Sequence, residues 1–409
     1  LLYRIGFKDA LRIILDAIAP LSGEEVLLEG LVGRLSAEDV VALVDSPSTD
    51  ASLKDGYAVR SADLGPATEE HPVCLKIEGF VHAGGTNAVP LQPGEAIRVT
   101  TGAALPPSAE AVLANEYAKE ESGRIWCTRD AEPGRNVLKR GTDIKQGQIV
   151  AREGEVLGPA LIGLLAAAGL DRVRVTKRPR VAVIGTGDEV VAPGYPLPSG
   201  KLYASNIVET MSWLRSFSIC DIQSRIVPDQ KEDIRQAILE MSPEADAFVT
   251  SGGAWKSERD LMIGIVESLG WQGFFHRVTL GPGKAVAFGL LEGKPFFILP
   301  GGPPSHEAAF LLLALPGIMA LAGKRGPVFP VVKAVLKREI TGVADWTQCI
   351  QARVYREPGR WVAEPVKSAS RLSSMARKNA YVLLEEGLAE IPSGCEVDAI
   401  ILDGAEVFT

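Results

Sequence analysis

The chain reads as an α/β and β multidomain protein built around a central doubly wound parallel-sheet domain. Three apolar runs carry that reading: Val181-Ala182-Val183-Ile184, Ala247-Phe248-Val249-Thr250 and Phe296-Phe297-Ile298-Leu299. Each is too short for a globular helix and too evenly apolar for a strand with one wet face, which leaves buried parallel strands. Amphipathic segments between them, such as Gln230–Met241 and Asp260–Leu269, supply the crossover helices. Every run ends in a glycine-rich loop, and in such a sheet ligands settle outside the carboxyl ends of the strands.

The loops read Gly185-Thr186-Gly187-Asp188-Glu189, Ser251-Gly252-Gly253 and Pro300-Gly301-Gly302-Pro303-Pro304. Glycine lets backbone N–H groups approach an anion, and a helix that starts after the loop adds its positive dipole end. Asp188 and Glu189 cannot hold phosphate, so they suit a divalent cation or the hydroxyl and amino groups of a ligand. Lys284, in Gly281-Pro282-Gly283-Lys284, provides the positive charge they lack. Together these residues point to a phosphate-bearing ligand with a metal beside it. Taken singly, each loop is equally well explained as a chain reversal, and Gly-Thr-Gly-Asp-Glu is neither a Walker nor a dinucleotide fingerprint.

Bulk properties narrow the class. At 409 residues the chain exceeds what one hydrophobic core serves, so two to four domains are expected. A 46% apolar and 23% charged composition is that of a soluble globular protein, and a net charge of −8 argues against general nucleic-acid binding. The five cysteines, Cys74, Cys127, Cys220, Cys349 and Cys395, are scattered and odd in number, which fits a reducing, cytoplasmic compartment without structural zinc. His71, His82, His276 and His306 form no ligand pair at helical spacing and read as surface or loop residues. Leu1–Phe7 carries too short an apolar run for a secretory signal. Ala308–Ala322 is interrupted by Pro316-Gly317 and falls short of the roughly 20 residues that span a bilayer, so it reads as a buried helix and no membrane is expected.

In chain order, Phe7–Ile18 has a helical apolar stripe at Phe7, Ala10, Leu11, Ile14, Leu15 and Ile18. Pro20-Leu21-Ser22 breaks it, and Gly23–Leu31 and Glu38–Val44 continue as scaffold. Asp55-Gly56, inside Ser46–Arg60, predicts a hairpin or loop. From Val73 to Val150, short apolar runs punctuated by glycine and proline predict a small, mostly β unit. Leu157–Ala168 is a helix ended by Gly169, and Val173–Val175 is a strand before Arg178-Pro179. Ser205 or Asn206 caps a helix through Ile207–Phe217. Pro330–Thr409 alternates polar and apolar residues with turn signals, as a β-barrel or sandwich does, with one helical interruption at Ser368–Asn379.

Several of these segments share an order with one family. Ser52, Asp55, Gly56, Tyr57, Ala58, Val59 and Arg60 reproduce a Ser-x-x-Asp-Gly-Tyr-Ala-Val-Arg hallmark. Arg98 to Ala103, with Thr101, resembles Arg-Ile-x-Thr-Gly-Ala, and Asn136 to Ile144, with Asp143, resembles Asn-Val-x-x-x-Gly-x-Asp-Ile. Thr186-Gly187-Asp188-Glu189, Ser205-Asn206, Thr250-Ser251-Gly252-Gly253, Pro282-Gly283-Lys284 and Leu299-Pro300-Gly301-x-Pro303 follow. Leu372, Ser374, Ala376 and Asn379 match a carboxyl-terminal pattern. The chain thus resembles the MoeA family, the molybdopterin molybdenumtransferases to which the gephyrin E domain also belongs.

The resemblance implies an organisation and a chemistry. It places an elongated α+β linker domain I at 1–50 and 152–178, an inserted β-rich domain II at 51–151, a molybdopterin-binding α/β domain III at 179–326, and a C-terminal β domain IV at 327–409. It implies a homodimer whose site lies between the central domain of one subunit and the inserted domain of the other. There, adenylylated molybdopterin and molybdate would react with Mg²⁺ present, molybdenum entering the dithiolene and AMP leaving. Asp55, Thr101, Asp143, Glu189 and Asp260 are the implied catalytic residues, and Asp188, Glu189 and Asp260 the implied metal ligands. Thr186, Gly187, Asp188, Ser205, Asn206, Ser251, Gly252, Gly253, Lys284, Pro300, Gly301 and Pro303 are the implied substrate contacts.

The sequence departs from the family at Ala204, where an aspartate is usual, and at Ala254-Trp255-Lys256-Ser257, where Val-Ser-Val-Gly is expected; Glu258 and Asp260 still match. Gly281 stands where a lysine is frequent, and Gly302 replaces an asparagine. Losing such a cation or amide beside a phosphate costs about 1–3 kcal/mol each, and Lys256 is a candidate to replace part of the charge. Two functions follow: the transferase, or a non-catalytic carrier, scaffold or regulator that binds molybdopterin or the finished cofactor.

Overall fold

The computed structural model describes residues 1–85, 89–252, 258–366 and 370–403. The chain forms two compact units, Leu1–Ser22 with Thr176–Thr409, and Gly23–Val175.

The first unit holds a seven-stranded sheet. Its strands are β1 (Leu2–Ile5), β2 (Val181–Thr186), β3 (Ile222–Val227), β4 (Ala247–Ser251), β5 (Gln272–Val278), β6 (Ala287–Leu291) and β7 (Lys294–Leu299). Their spatial order is β1-β5-β6-β7-β4-β2-β3. The three apolar runs of the sequence are thus β2, β4 and β7, side by side and mutually parallel. Their uniform apolarity has a direct cause: Val181 and Val183 enter the core on one face, Ala182 and Ile184 the core on the other. Helices α1 (Phe7–Ala17) and α2 (Ser205–Ser216) cover the first face, and α3 (Lys231–Met241) and α4 (Glu258–Ser268) the second.

One strand of this otherwise parallel sheet is reversed. Strand β6 runs antiparallel to both β5 and β7, and Glu292 and Gly293, both at positive φ, make the tight turn into β7. A two-residue turn closes a hairpin, whereas a parallel neighbour needs a crossover of a dozen residues.

The opening strand and helix also belong to this unit rather than to the linker scaffold. β1 pairs in parallel with β5, and Phe7, Ala10, Ile14 and Ile18 enter the core. The contact is close because of Gly317, where a Cβ would lie 2.7 Å from Phe297 Cζ and 2.8 Å from Ile14 Cγ2. Gly317 lies in α6 (Leu315–Leu321), which continues α5 (Pro303–Ala309) through a π-helical segment, Phe310–Ala314. Pro316 does not break this body. Pro lacks an N–H and crowds the carbonyl four residues back, and the turn just before it is already widened, Leu315 N–H bonding to Phe310 O. Pro303–Leu321 is long and apolar enough to cross a membrane, but most of it is buried in the protein core.

The C-terminal strands β8 (Val331–Leu336), β9 (Thr347–Glu357), β10 (Arg360–Pro365), β11 (Ala380–Leu384) and β12 (Glu396–Ile401) close as a barrel in the order β9-β10-β8-β12-β11, with β11 returning to β9. Of the two alternatives left open by the sequence, barrel and sandwich, the barrel forms. Asn379 stitches the seam, its side chain accepting from Val354 N–H at 2.7 Å and donating to Val354 O at 2.8 Å. A short helix, α7 (Arg371–Arg377), is capped by Ser370, whose side chain accepts from Ser373 N–H.

The barrel is fastened to the sheet by a buried cluster. Lys378 and Glu307, on α5, each about 3% exposed, form an ion pair at 2.5 Å. Tyr381 donates to the other oxygen of Glu307 at 2.7 Å. Burial, then the hydrogen bond to Glu307 and its charge, push the Glu209 carboxyl up to about 8.

In the second unit, Gly23–Leu27 lies beside Arg172–Thr176, and Val40–Val41 pairs with Ile149–Ala151. These and the helix Pro159–Ala167 enclose one core, with Leu31, Leu157 and Leu165 at its centre. The chain leaves and returns side by side, Ser46 bridging Ile144. Between those points lies a six-stranded sheet ordered Ala111–Ala114, Gly56–Val59, Glu95–Val99, Val73–Val81, Arg124–Cys127, Ala118–Glu121, with apolar cores on both faces.

Lys378→Met strands a buried carboxylate, so urea unfolding of this variant should show a loss of about 3–5 kcal/mol. Because the folded-state value of Glu209 lies above its ordinary 4.5, its contribution to stability is full in acid and is lost as pH rises toward about 8. The melting temperature of the wild type should therefore fall between pH 5 and 8, and a Glu209→Gln variant should flatten that slope.

Candidate functional site

A cavity of about 670 Å³ opens at the carboxyl ends of β2, β4 and β7, with Thr186, Ser251, Gly252, Pro300, Gly301 and Pro303 in its walls. All of its walls belong to the first unit. Gly252 allows the loops to close in: its φ is +101°, and a Cβ there would stand 2.5 Å from Thr186 O. Gly187, at φ +147°, bends the first loop so tightly that a Cβ would meet Glu189 Oε2 at 2.8 Å.

Asn206 ties the loops together. Its side-chain amide donates to Ser251 Oγ at 2.9 Å and to Gly301 O at 2.8 Å. The sequence expectation that Ser205 or Asn206 caps α2 is corrected: the helix starts at Ser205, the cap position is Ala204, and no side chain caps it. Asn206 is committed to the loops instead, and Ser205 lines the cavity. The amide oxygen of Asn206 and the hydroxyl of Thr250 are buried with no hydrogen-bond partner among the described residues, which leaves polar capacity beside the cavity.

His306 is not a surface or loop residue. It is buried, with Nδ1 3.2 Å from Pro300 O and Nε2 2.8 Å from Thr210 Oγ1. A carbonyl only accepts, so Nδ1 carries the proton and Thr210 donates to Nε2. Burial pushes the ring down to about 4, so it is neutral near pH 7 and serves to hold the Pro300 loop.

The acidic corner has one member the sequence reading missed. Asp229, after β3, lines the cavity with Glu189, and its backbone N–H donates to Asp188 Oδ1 at 3.1 Å. Burial first, then the charges of Glu189 and Asp188, raise the Asp229 carboxyl above its usual range. Asp188, which is exposed, and Gly187, which is buried, do not line the cavity, and Lys201 donates to Asp188 O. Crowded carboxylates with only oxygen donors suit a hard dication that keeps most of its waters and leans on substrate phosphate. Among the described residues no three such side chains form a ready-made ligand cluster. Gly253 and the departures Ala254–Ser257 lie outside the described residues, as does the side chain of Asp260, which falls in the first turn of α4.

Lys284 lines the cavity, joined by Arg371 and Leu372 of α7. The last two were also missed, because the barrel offered no sequence signal of chemistry. Asp229 left a faint one: a strand-length segment, Ile222–Val227, apolar only at its ends, followed by Pro228-Asp229 and an amphipathic helix. At two departures the structure leaves room: a Cβ on Gly302 meets nothing within 4 Å, and one on Gly281 only Trp346 at 4.0 Å.

The remaining predicted residues belong to the second unit. Asp55 and Thr101 come together, Asp55 Oδ1 accepting from Thr101 N–H at 2.7 Å and Thr101 Oγ1 at 3.1 Å. Those two bonds, backbone first, lower the Asp55 carboxyl below its usual range, so it is ionised at neutral pH. Asp143 is exposed on a turn pinned by its N–H to Ser46 O at 3.0 Å.

Comparison with known proteins agrees across the chain. Residues 5–169 match the MoeA N-terminal region (domain I and II), 182–320 the probable molybdopterin binding domain, and 333–402 the MoeA C-terminal region (domain IV). The chain is 30% identical over 382 residues to a molybdopterin molybdenumtransferase of Haemophilus influenzae, covering 92% of this chain and 93% of that protein. It is 29% identical over 385 residues to the protein of the same name from Bacillus subtilis, covering 93% and 90%. A solved molybdopterin biosynthesis MoeA protein from Pyrococcus horikoshii superposes with a TM-score of 0.86 at 32% identity, over 98% of this chain and 100% of that one.

Asn206→Leu removes two donors and leaves Gly301 O without its partner. Chemical denaturation should show a loss of about 1–3 kcal/mol, and limited proteolysis should cut faster within the Pro300–Pro303 loop.

Proposed function

The chain belongs to the MoeA family, and from that premise we propose that it is a molybdopterin molybdenumtransferase of molybdenum cofactor biosynthesis. Its substrates on this reading are adenylylated molybdopterin and molybdate, and its products are the metal-loaded dithiolene and AMP. The observation that carries the reading is the meeting of three adjacent strand-end loops in one cavity whose lining combines glycine backbone, Lys284 and the carboxylates of Glu189 and Asp229. Glycine N–H groups and cationic side chains bind phosphate; Glu189 and Asp229 hold a cation beside it.

Cleaving the linkage between AMP and the pterin phosphate calls for charge neutralisation and alignment more than for a strong nucleophile. Mg²⁺, when bound, would supply that neutralisation through Glu189 and Asp229; Asp188 and Asp260 are further ligand candidates on sequence grounds. Asn206 keeps the Ser251 and Gly301 loops at fixed spacing, so the phosphate is met by preset donors. Asp55, Thr101 and Asp143 act, on this reading, from the second unit of a partner subunit, where the ionised Asp55 is an acceptor for ligand hydroxyls or metal-bound water. A homodimer is supported by the helix Pro159–Ala167, apolar on every side yet with only Leu165 fully buried, next to exposed Leu43 and Val44 on the same unit. The five cysteines are all free, in keeping with the cytoplasmic assignment.

A second reading, a non-catalytic molybdopterin carrier or regulator, is favoured by the open space at Gly281 and Gly302, where relatives of this pattern place a cation and an amide.

Purified protein given adenylylated molybdopterin, Mg²⁺ and molybdate should release AMP, and chelation of the metal should stop it. Asp55→Asn and Glu189→Gln should each lower the rate by about a hundredfold or more. Tight binding by the wild type without AMP release would instead establish the carrier.

A further inference from the structure

Between Glu189 and α2 the chain makes a small flap. Val190–Val191 pairs with Leu202–Tyr203, and the intervening loop contains Pro193, Pro196 and Pro198. The flap is held at its base: Leu202 N–H donates to Glu189 O at 2.8 Å, and Ala204 N–H to Val191 O at 2.9 Å. Across its tip the Tyr203 hydroxyl donates to Tyr195 O at 3.1 Å. Three prolines fix the backbone angles of a ten-residue loop and lower the entropy it would gain by melting.

This stiff flap holds large apolar side chains out of the core. Tyr195 is 67% exposed, Leu202 63%, Leu197 44% and Tyr203 43%. Leu197, Leu202 and Tyr203 all line the cavity described above, and Leu372, 53% exposed, lines it from the barrel side. The cavity is therefore two-faced. Asn206, Ser251, Gly252, Lys284 and Gly301 bring polar side chains and backbone to its lining, and the flap brings mainly apolar surface. Apolar side chains exposed beside the polar groups of a cavity mark where the apolar part of a ligand can lie.

We propose that Tyr203, with Leu197 and Leu202, is the stacking wall for a planar nitrogen heterocycle of the substrate, so that the flap sets specificity while the loops hold the phosphate. The inference rests on the transferase reading, whose substrate carries two such rings, an adenine and a pterin. Tyrosine suits the role because its ring offers a flat face at low entropic cost.

The test uses the full chain as wild type, Tyr203→Ala and Tyr203→Phe. Stacking predicts that Tyr203→Ala raises KM for adenylylated molybdopterin by about tenfold or more with kcat within about threefold, and that Tyr203→Phe stays near wild type. Direct titration with AMP and with a free pterin, which needs no turnover, identifies the ring: whichever probe weakens by a similar factor in Tyr203→Ala is the one that lies on the flap. If wild type binds the probes but releases no AMP, the transferase reading fails while these titrations still decide the flap. Unchanged binding of both probes and unchanged KM in Tyr203→Ala overturn the proposal. So does a Tyr203→Phe variant as impaired as Tyr203→Ala, because the hydroxyl tether and not the ring would then be responsible.

Discussion

The cavity depends on one side-chain amide. Strands β2, β4 and β7 end side by side, and their loops carry backbone groups that the sheet no longer pairs. Without a cross-link these loops would be free to spread into solvent. Asn206, in the first turn of α2, donates to both the β4 loop and the β7 loop, and Gly252 lets the β4 loop close to van der Waals distance of Thr186 on β2. His306 secures the far side through Pro300 O. Two hydrogen bonds of this kind contribute about 1 kcal/mol each, a small share of stability. Their effect on geometry is larger, because they fix the spacing between donors that an anion must meet.

Much of this was legible in the residues, for physical reasons that differ from part to part. Runs buried on both faces announce themselves by having no polar phase, so β2, β4 and β7 and the glycine loops after them could be read directly. Strand β3 sits at the sheet edge and carries Gln223, Ser224 and Arg225, so it has no such signature, and Asp229 behind it went unseen. The antiparallel β6 was missed because Glu292-Gly293 is a turn made by positive φ at a glutamate, which residue type alone does not advertise. Pro316 misled for a related reason: proline forbids one hydrogen bond, but a widened turn before it removes the conflict. Asn206 was recognised as polar at a helix start, where capping is the commonest use of asparagine; only the fold shows that its partners lie 45 and 95 residues away. Arg371 and Leu372 could not be placed, since nothing local ties a barrel helix to a distant sheet.

The departures from the family pattern acquire different weights in the structure. Ala204 sits nearly buried at the start of α2 and leaves Asn206 where it is needed. Gly281 and Gly302 remove side chains from open space, so their loss changes what a ligand meets and not how the chain folds. Gly302 lines the cavity, so the change there reduces its polar reach toward an anion, whereas Gly281 does not line it. Among the described residues, Lys284 and Arg371 are the cationic side chains that line it.

Closure of the C-terminal barrel has a consequence for how the molecule behaves in a crowded cell. Because β11 returns to β9, every barrel strand has two partners, and the ring presents no ladder of unpaired amides onto which a foreign strand could add. The large sheet cannot close in this way. Its rim at β3 is guarded by Arg225, paired with Glu240, so a stray strand docking there would have to desolvate charge. Chains still emerging during synthesis, before β12 pairs with β8 and β11, expose strand edges that the finished ring covers.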